Sequence, residues 1–156
     1  MATYNSDKIS EGRPAITLPA QDITVFFEVT ITAAFAASDI IELCKIPAFA
    51  KVSDIFLDIP DIDTGTTWQF DLGTDESATQ FASNLQTGRS AGQVTNADLA
   101  DAALPWHNVD TGAGNVTDEV TLRMTVDAAS DATSGTIKGY CRYSMQEQYQ
   151  ETAPAS

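Results

Sequence analysis

Hydrophobic and polar residues alternate along most of this chain, except at its two ends and in its middle. From Asp22 to Phe35 (DITVFFEVTITAAF), Val25, Phe27, Val29 and Ile31 fall on one face, with Thr24, Glu28, Thr30 and Thr32 on or near the other. That is the two-residue period of a half-buried β-strand. Phe26 interrupts the polar face, which implies that part of that face is covered as well. Ser38–Ile46 predicts a second strand, stopped by Pro47, which has no N–H to give to a ladder. Lys51–Ile59 predicts a third, with Ile55, Leu57 and Ile59 on one face. Thr67–Leu72 predicts a fourth, with Trp68, Phe70 and Leu72 opposite Gln69 and Asp71; Pro60 and Gly65 punctuate the turn before it. Glu119–Asp127 turns Val120, Leu122, Met124 and Val126 inward, and Thr136–Met145 does the same with Ile137, Cys141, Tyr143 and Met145. The short connections predict antiparallel hairpins or a meander. These strands define an all-β domain over residues 22–145, an antiparallel β-sandwich or barrel of jelly-roll-like type.

The remaining segments lack that period. Residues 1–21 are polar, carry Pro14 and Pro19, and predict an extended arm free to lie on a neighbouring molecule. Residues 146–156 form a polar tail. Between them, residues 74–114 make one long irregular excursion rich in Ala, Ser, Thr, Asn, Gln and Asp. Ser77–Asn84 or Asn96–Leu104 could each close a short helix, with Asn96 as N-cap. Excursions this long inside a compact domain are often functional.

Length and charge narrow what such a domain can do. At 156 residues the chain predicts one domain with a self-sufficient core. It holds 22 acids against 8 bases, a net charge of −14. Nucleic-acid affinity rests on Lys and Arg neutralising phosphates, and Arg89 is the only base between Val52 and Leu122, so DNA and RNA are excluded as partners. Anionic lipid is disfavoured for the same reason. No apolar run reaches the ~20 residues of a membrane helix, and the start, MATYNSDKIS, has no apolar segment of a signal peptide. The expectation is a protein made in the cytoplasm without a cleaved leader, and with no membrane partner.

Candidate chemistry is sparse. His107 is the only histidine, and no GxSxG elbow accompanies it. Cys44 and Cys141 lie inside predicted strands, where the expected state is a reduced, buried thiol and not a nucleophile. One His and two separated Cys give no zinc site. Asp58, Asp61 and Asp63 precede Gly65, but an EF-hand loop starting at Asp61 would place its glycine one position early and Leu72 where the bidentate Glu belongs. Those aspartates read as a solvated acidic turn. Gly112 and Gly114 have no following Lys, so no phosphate loop is present. Among 22 acids no pair stands out for glycoside hydrolysis. The expectation is a non-enzyme with no catalytic residue, metal or cofactor. Trp68, Trp106, Tyr140 or Tyr143 could stack on sugars, although Trp68 shares its face with Phe70 and Leu72 and reads as core.

Ile40–Gly73 and the last strand carry a resemblance. An apolar strand runs into a proline turn (IIELCKIPAFAKV), an apolar strand with aspartate follows (SDIFLDI), and an aromatic strand closes on Asp–Leu–Gly (TWQFDLGTDES). The last strand, TIKGYCRYSM, and the start, MATYNSDKI, fit the same pattern. The chain thus resembles small tailed-phage virion proteins that accompany the major capsid protein as head decoration or cement subunits. The likeness covers about half the chain and leaves Ala78–Asn115 unmatched. It implies a virion structural role in many copies, with the major capsid protein and further copies of the chain as partners, and brings no active-site residue. Acidity suits the outside of a head, away from packaged DNA. On that reading Tyr4, Ile9 and Ile16 in the arm, and Leu99, Leu104 and Trp106 in the excursion, are the expected contact residues, and a trimer at a three-fold position is the expected assembly. The alternative expectation is a tail or adhesion β-module that binds surface glycans.

Overall fold

A computed structural model describes residues 1–12, 22–101, 103–108 and 119–145. Among the described residues ten strands lie in two facing sheets. One sheet runs β1 (Thr3–Asn5), β3 (Ile40–Ile46), β9 (Val120–Ala128), β5 (Gln69–Thr74), β6 (Ala82–Leu85). The other runs β2 (Asp22–Thr30), β10 (Thr136–Met145), β4 (Ala50–Ile59), β7 (Gly92–Val94), and β8 (Trp106–His107) pairs the start of β4. This is a β-sandwich, as the alternation predicts.

The core sits between the sheets. Phe27 and Val29 of β2, Ile55, Leu57 and Ile59 of β4, and Ile137, Cys141 and Tyr143 of β10 meet Ile41, Leu43, Phe70, Leu72, Leu122 and Met124 of the other sheet, all buried. Trp68 is fully buried beside Phe35 and Phe70, and its indole N–H donates to the Thr87 carbonyl at 2.8 Å. The thiols of Cys44 and Cys141 come together across the two sheets, both buried and both reduced.

The meander expectation fails. β2, β3, β4 and β5 alternate between the two sheets, as do β9 and β10; of these neighbours in sequence only β5 and β6 form a hairpin. The link from β3 to β4, Pro47–Phe49, is three residues long, yet an extended chain of that length reaches about 13 Å and facing sheets are only about 10 Å apart. Short links therefore serve as arches between sheets as readily as hairpins within one. Phe49, in a left-handed conformation at φ 66°, helps make that reversal.

The amino-terminal residues also depart from expectation. Residues 3–10 do not form an extended arm: β1 joins β3 as a parallel strand, in register Thr3 to Ile40, and a short helix α1 (Asp7–Ser10) follows. Ser6 caps that helix by accepting the Ile9 N–H, and its hydroxyl donates to the Leu43 carbonyl. Three residues carry no readable period, so tertiary pairing alone creates this strand. Residues 13–21 and the 146–156 tail lie outside the described residues.

The excursion is more ordered than its composition suggests. It supplies β6, β7 and β8, and the helix expected over Asn96–Leu104 shrinks to a single 3-10 turn, Asn96–Asp98. Thr95, not Asn96, caps it, in a reciprocal box with Asp98. No helix forms over Ser77–Asn84, where β6 begins at Ala82.

Candidate functional site

The expected contact residues separate into two places. Tyr4 is half-buried with its ring edge-on to Phe35 at 4.8 Å and its hydroxyl bonded to Asp39. Ile9 sits half-buried on α1, and Ile16 lies outside the described residues. Leu99 is only 9% exposed, Leu104 packs against the core, and Trp106 is edge-on to buried Phe81 at 5.4 Å. Leu99 and Leu104 border an open groove of about 520 Å³ beside β4, completed by Lys51, Asn96, Ala97 and Pro105. The Asn96 side chain accepts the Ile55 N–H at 3.2 Å and donates to the Ser53 carbonyl at 3.4 Å, filling the gap in the β4 edge between β7 and β8. The groove brings Leu99 and Leu104 together; Tyr4 and Ile9 belong to a different part of the fold.

The acidic turn is not wholly solvated. Asp58 and Asp61 are exposed, but Asp63 is 4% exposed. Its carboxylate accepts the N–H groups of Trp68 at 2.8 Å, Thr67 at 2.9 Å and Gly65 at 3.2 Å. Chiefly the Trp68 N–H, with the others, holds its carboxyl below the usual range against the opposing effect of burial. Its role is to close the β4–β5 link. Asp39 does a similar job at the amino terminus. Burial opposes its charge, yet the N–H groups of Ala36 at 2.9 Å and Ala2 at 2.7 Å keep its carboxyl below the ordinary range. Among the described residues no group of three or more His, Cys, Asp and Glu is placed to hold a metal ion. The contact with Cys44, and burial, push the Cys141 thiol well above its usual value, which removes it as a nucleophile. No helix among the described residues is long and apolar enough to cross a membrane.

The two outer faces differ. On the β3–β9–β5 sheet the outward positions are mostly polar: Thr121, Arg123 and Thr125 on β9, flanked by Glu42, Lys45 and Asp71, with half-buried Ile40 beside Thr125. On the β2–β10–β4 sheet the register places Phe26, Tyr140 and Phe56 side by side in one cross-strand row. Phe26 is 65% exposed, and Tyr140 and Phe56 are half-buried. Tyr140 stacks on Phe56 at 5.3 Å and 17°, and Phe26 leans on it at 5.8 Å and 59°. The Tyr140 hydroxyl donates to Asp54 at 3.0 Å, which with burial raises its pKa, and the Arg142 guanidinium lies 5.8 Å over the ring. Sequence reading finds Phe26 as an anomaly on a polar face; only the register reveals that two more aromatics share its row.

The sugar-stacking candidates fare poorly. Trp68 and Tyr143 are fully buried. Tyr140 is engaged by both Phe56 and Phe26, and Trp106 is half-buried at right angles to Phe81.

Comparison with known proteins bears on the fold. No protein-family model and no curated protein matches the chain. Among solved structures, a chain in the capsid of Ralstonia phage GP4 shares the fold with a TM-score of 0.72 and 21% identity, covering 92% of this chain and 98% of that one. A chain in the capsid asymmetric unit of cyanophage Pam1 aligns with a TM-score of 0.61 and 20% identity, over 86% of this chain and 91% of that one. The β-sandwich is thus, over most of its length, a fold found in phage capsids.

Proposed function

We propose that this protein is a virion structural protein, a decoration or cement subunit that binds the outer surface of a phage head and stabilises the shell. The observation that carries the reading is the near-full-length match of its fold to chains from two phage capsids. Physical features support it. Among the described residues the two thiols are sealed inside the core, and the buried carboxylate of the β4–β5 turn is spent on backbone N–H groups. A net charge of −14 is repelled by packaged DNA and is tolerated on the outside of a head. The partner is the major capsid protein, with other copies of this chain arranged beside it, three around a three-fold position, after assembly in the host cytoplasm. Tyr4, Ile9, Ile16, Leu99, Leu104 and Trp106 remain proposed contributors; Leu99 and Leu104 would act by shaping the groove.

Co-sedimentation with purified empty heads tests the reading. Saturable binding that raises the temperature at which heads rupture is expected. Absence of binding, together with reproducible retention on a glycan array, would replace it with the adhesion reading.

A further inference from the structure

The aromatic row on the β2–β10–β4 face is an interaction surface without an occupant among the described residues. An outward sheet face is ordinarily polar. Here Phe26 is, apart from Met1, the one large hydrophobic residue that is strongly exposed among the described residues. The row is held in place: Tyr140 is tied to Asp54 and stacked on Phe56, so little side-chain freedom is left to lose on binding.

The charges around it say what does not sit there. On one side of the row the register aligns Glu28, Lys138 and Asp58; on the other it aligns Thr24, Arg142 and Asp54. Consider two copies face to face about a two-fold axis. With the axis along the strands, Lys138 meets Lys138, Arg142 meets Arg142 and Glu28 meets Asp58. With the axis across the strands, Lys138 meets Arg142 and Asp58 meets Asp54. Both of these arrangements set base on base and acid on acid, which disfavours pairing of two copies through this face about either axis.

Resting on the reading of the protein as a head subunit, we infer that the Phe26–Tyr140–Phe56 row is the seat on the shell protein. It takes an apolar patch of that protein bordered by charges of both signs, basic opposite Glu28, Asp54 and Asp58 and acidic opposite Lys138 and Arg142. Aromatic residues at the centre with charges at the rim is the usual anatomy of such a contact.

The test is co-sedimentation with purified empty heads at about 0.15 M ionic strength, using the full-length chain, Phe26→Ser, Phe56→Ser, Glu28→Lys and the opposite-face control Thr125→Ser. Phe26 is exposed, so Phe26→Ser should melt close to the parent; Phe56→Ser is read only if it does too. The expected result is at least about tenfold weaker binding for Phe26→Ser, a loss of affinity for Glu28→Lys, and no change for Thr125→Ser. Parental binding that survives Phe26→Ser within about twofold overturns the inference while leaving the head reading intact. No binding by the parent overturns the head reading itself. Self-association of the free protein at that same ionic strength that Phe26→Ser abolishes assigns the row to a second copy and also overturns the inference.

Discussion

Replacing Gly139 with alanine tests how tightly the sheet beneath the aromatic row is built. Gly139 occupies an inward position of β10, between Ile137 and Cys141, where a side chain would be expected. Its place is taken by the Phe27 ring from β2, opposite it in register. A Cβ built there would lie 2.2 Å from the Phe56 carbonyl oxygen and 3.0 Å from two atoms of the Phe27 ring. The ring can tilt; the carbonyl belongs to the paired β4 backbone and cannot move without disturbing the β4–β10 ladder. Overpacking a core commonly costs 1–3 kcal/mol, and an immovable backbone neighbour places this case near ~3 kcal/mol. For a chain of this size that corresponds to a fall in Tm of roughly 6–12 °C. Urea denaturation should show a lower midpoint with an unchanged slope, since native compactness is retained. A midpoint within about 0.5 kcal/mol of the parent would refute the reasoning, because the approach of β4 to β10 would then have slack that the geometry denies.

Two further outcomes follow from the contacts described. Tyr4→Ala should cost ~1–2 kcal/mol by removing the edge-on contact with Phe35 and its partial burial, and hydrogen exchange should show β1 opening first; an unchanged urea midpoint would mean that the first strand contributes nothing. Asp39 and Asp63 are both held below their ordinary range, so the native state binds fewer protons there than the unfolded chain. Their stabilisation is present above about pH 4 and is lost as the pH falls through their folded values; thermal melts from pH 6 to pH 2.5 should show that loss, with a shallower slope in Asp63→Asn.

How much of this was legible in the sequence depends on length and register. β2, β3, β4, β9 and β10 have seven to ten residues each, enough for Phe27/Val29, Ile55/Leu57/Ile59 or Leu122/Met124/Val126 to declare a face. β1, β7 and β8 have two or three residues and exist only because an edge of β3 or β4 is there to pair with them. Sheet membership was not legible either, since a link such as Pro47–Phe49 suits a hairpin and an arch equally. Asp63 looked like its neighbours Asp58 and Asp61; what sets it apart is a set of N–H groups that converge only after the turn has closed. The aromatic row was half legible. Phe26 broke a polar pattern, but Phe56 and Tyr140 lie 30 and 114 positions further on, and their alignment is a property of the ladder.

The acid excess and the exposed row make physical sense together. A partly exposed aromatic row on an outer sheet face is an aggregation hazard in a free subunit. Around the row the charges nearly balance, with Glu28, Asp54 and Asp58 against Lys138 and Arg142, so most of the −14 lies elsewhere on the molecule. That distant charge opposes the approach of free copies, while the like-on-like pattern bordering the row disfavours the two-fold pairings along and across the strands that would bury it. Both obstacles are electrostatic, and the Debye length shrinks from about 8 Å at 0.15 M salt to about 3 Å at 1 M. The free protein should therefore sediment as a single species at 0.15 M salt and associate with rising concentration at 1 M, whereas Phe26→Ser should remain a single species in both. Association of Phe26→Ser at 1 M to the same extent as the parent would show that some other surface is the adhesive one, and that the acid excess does not guard this row.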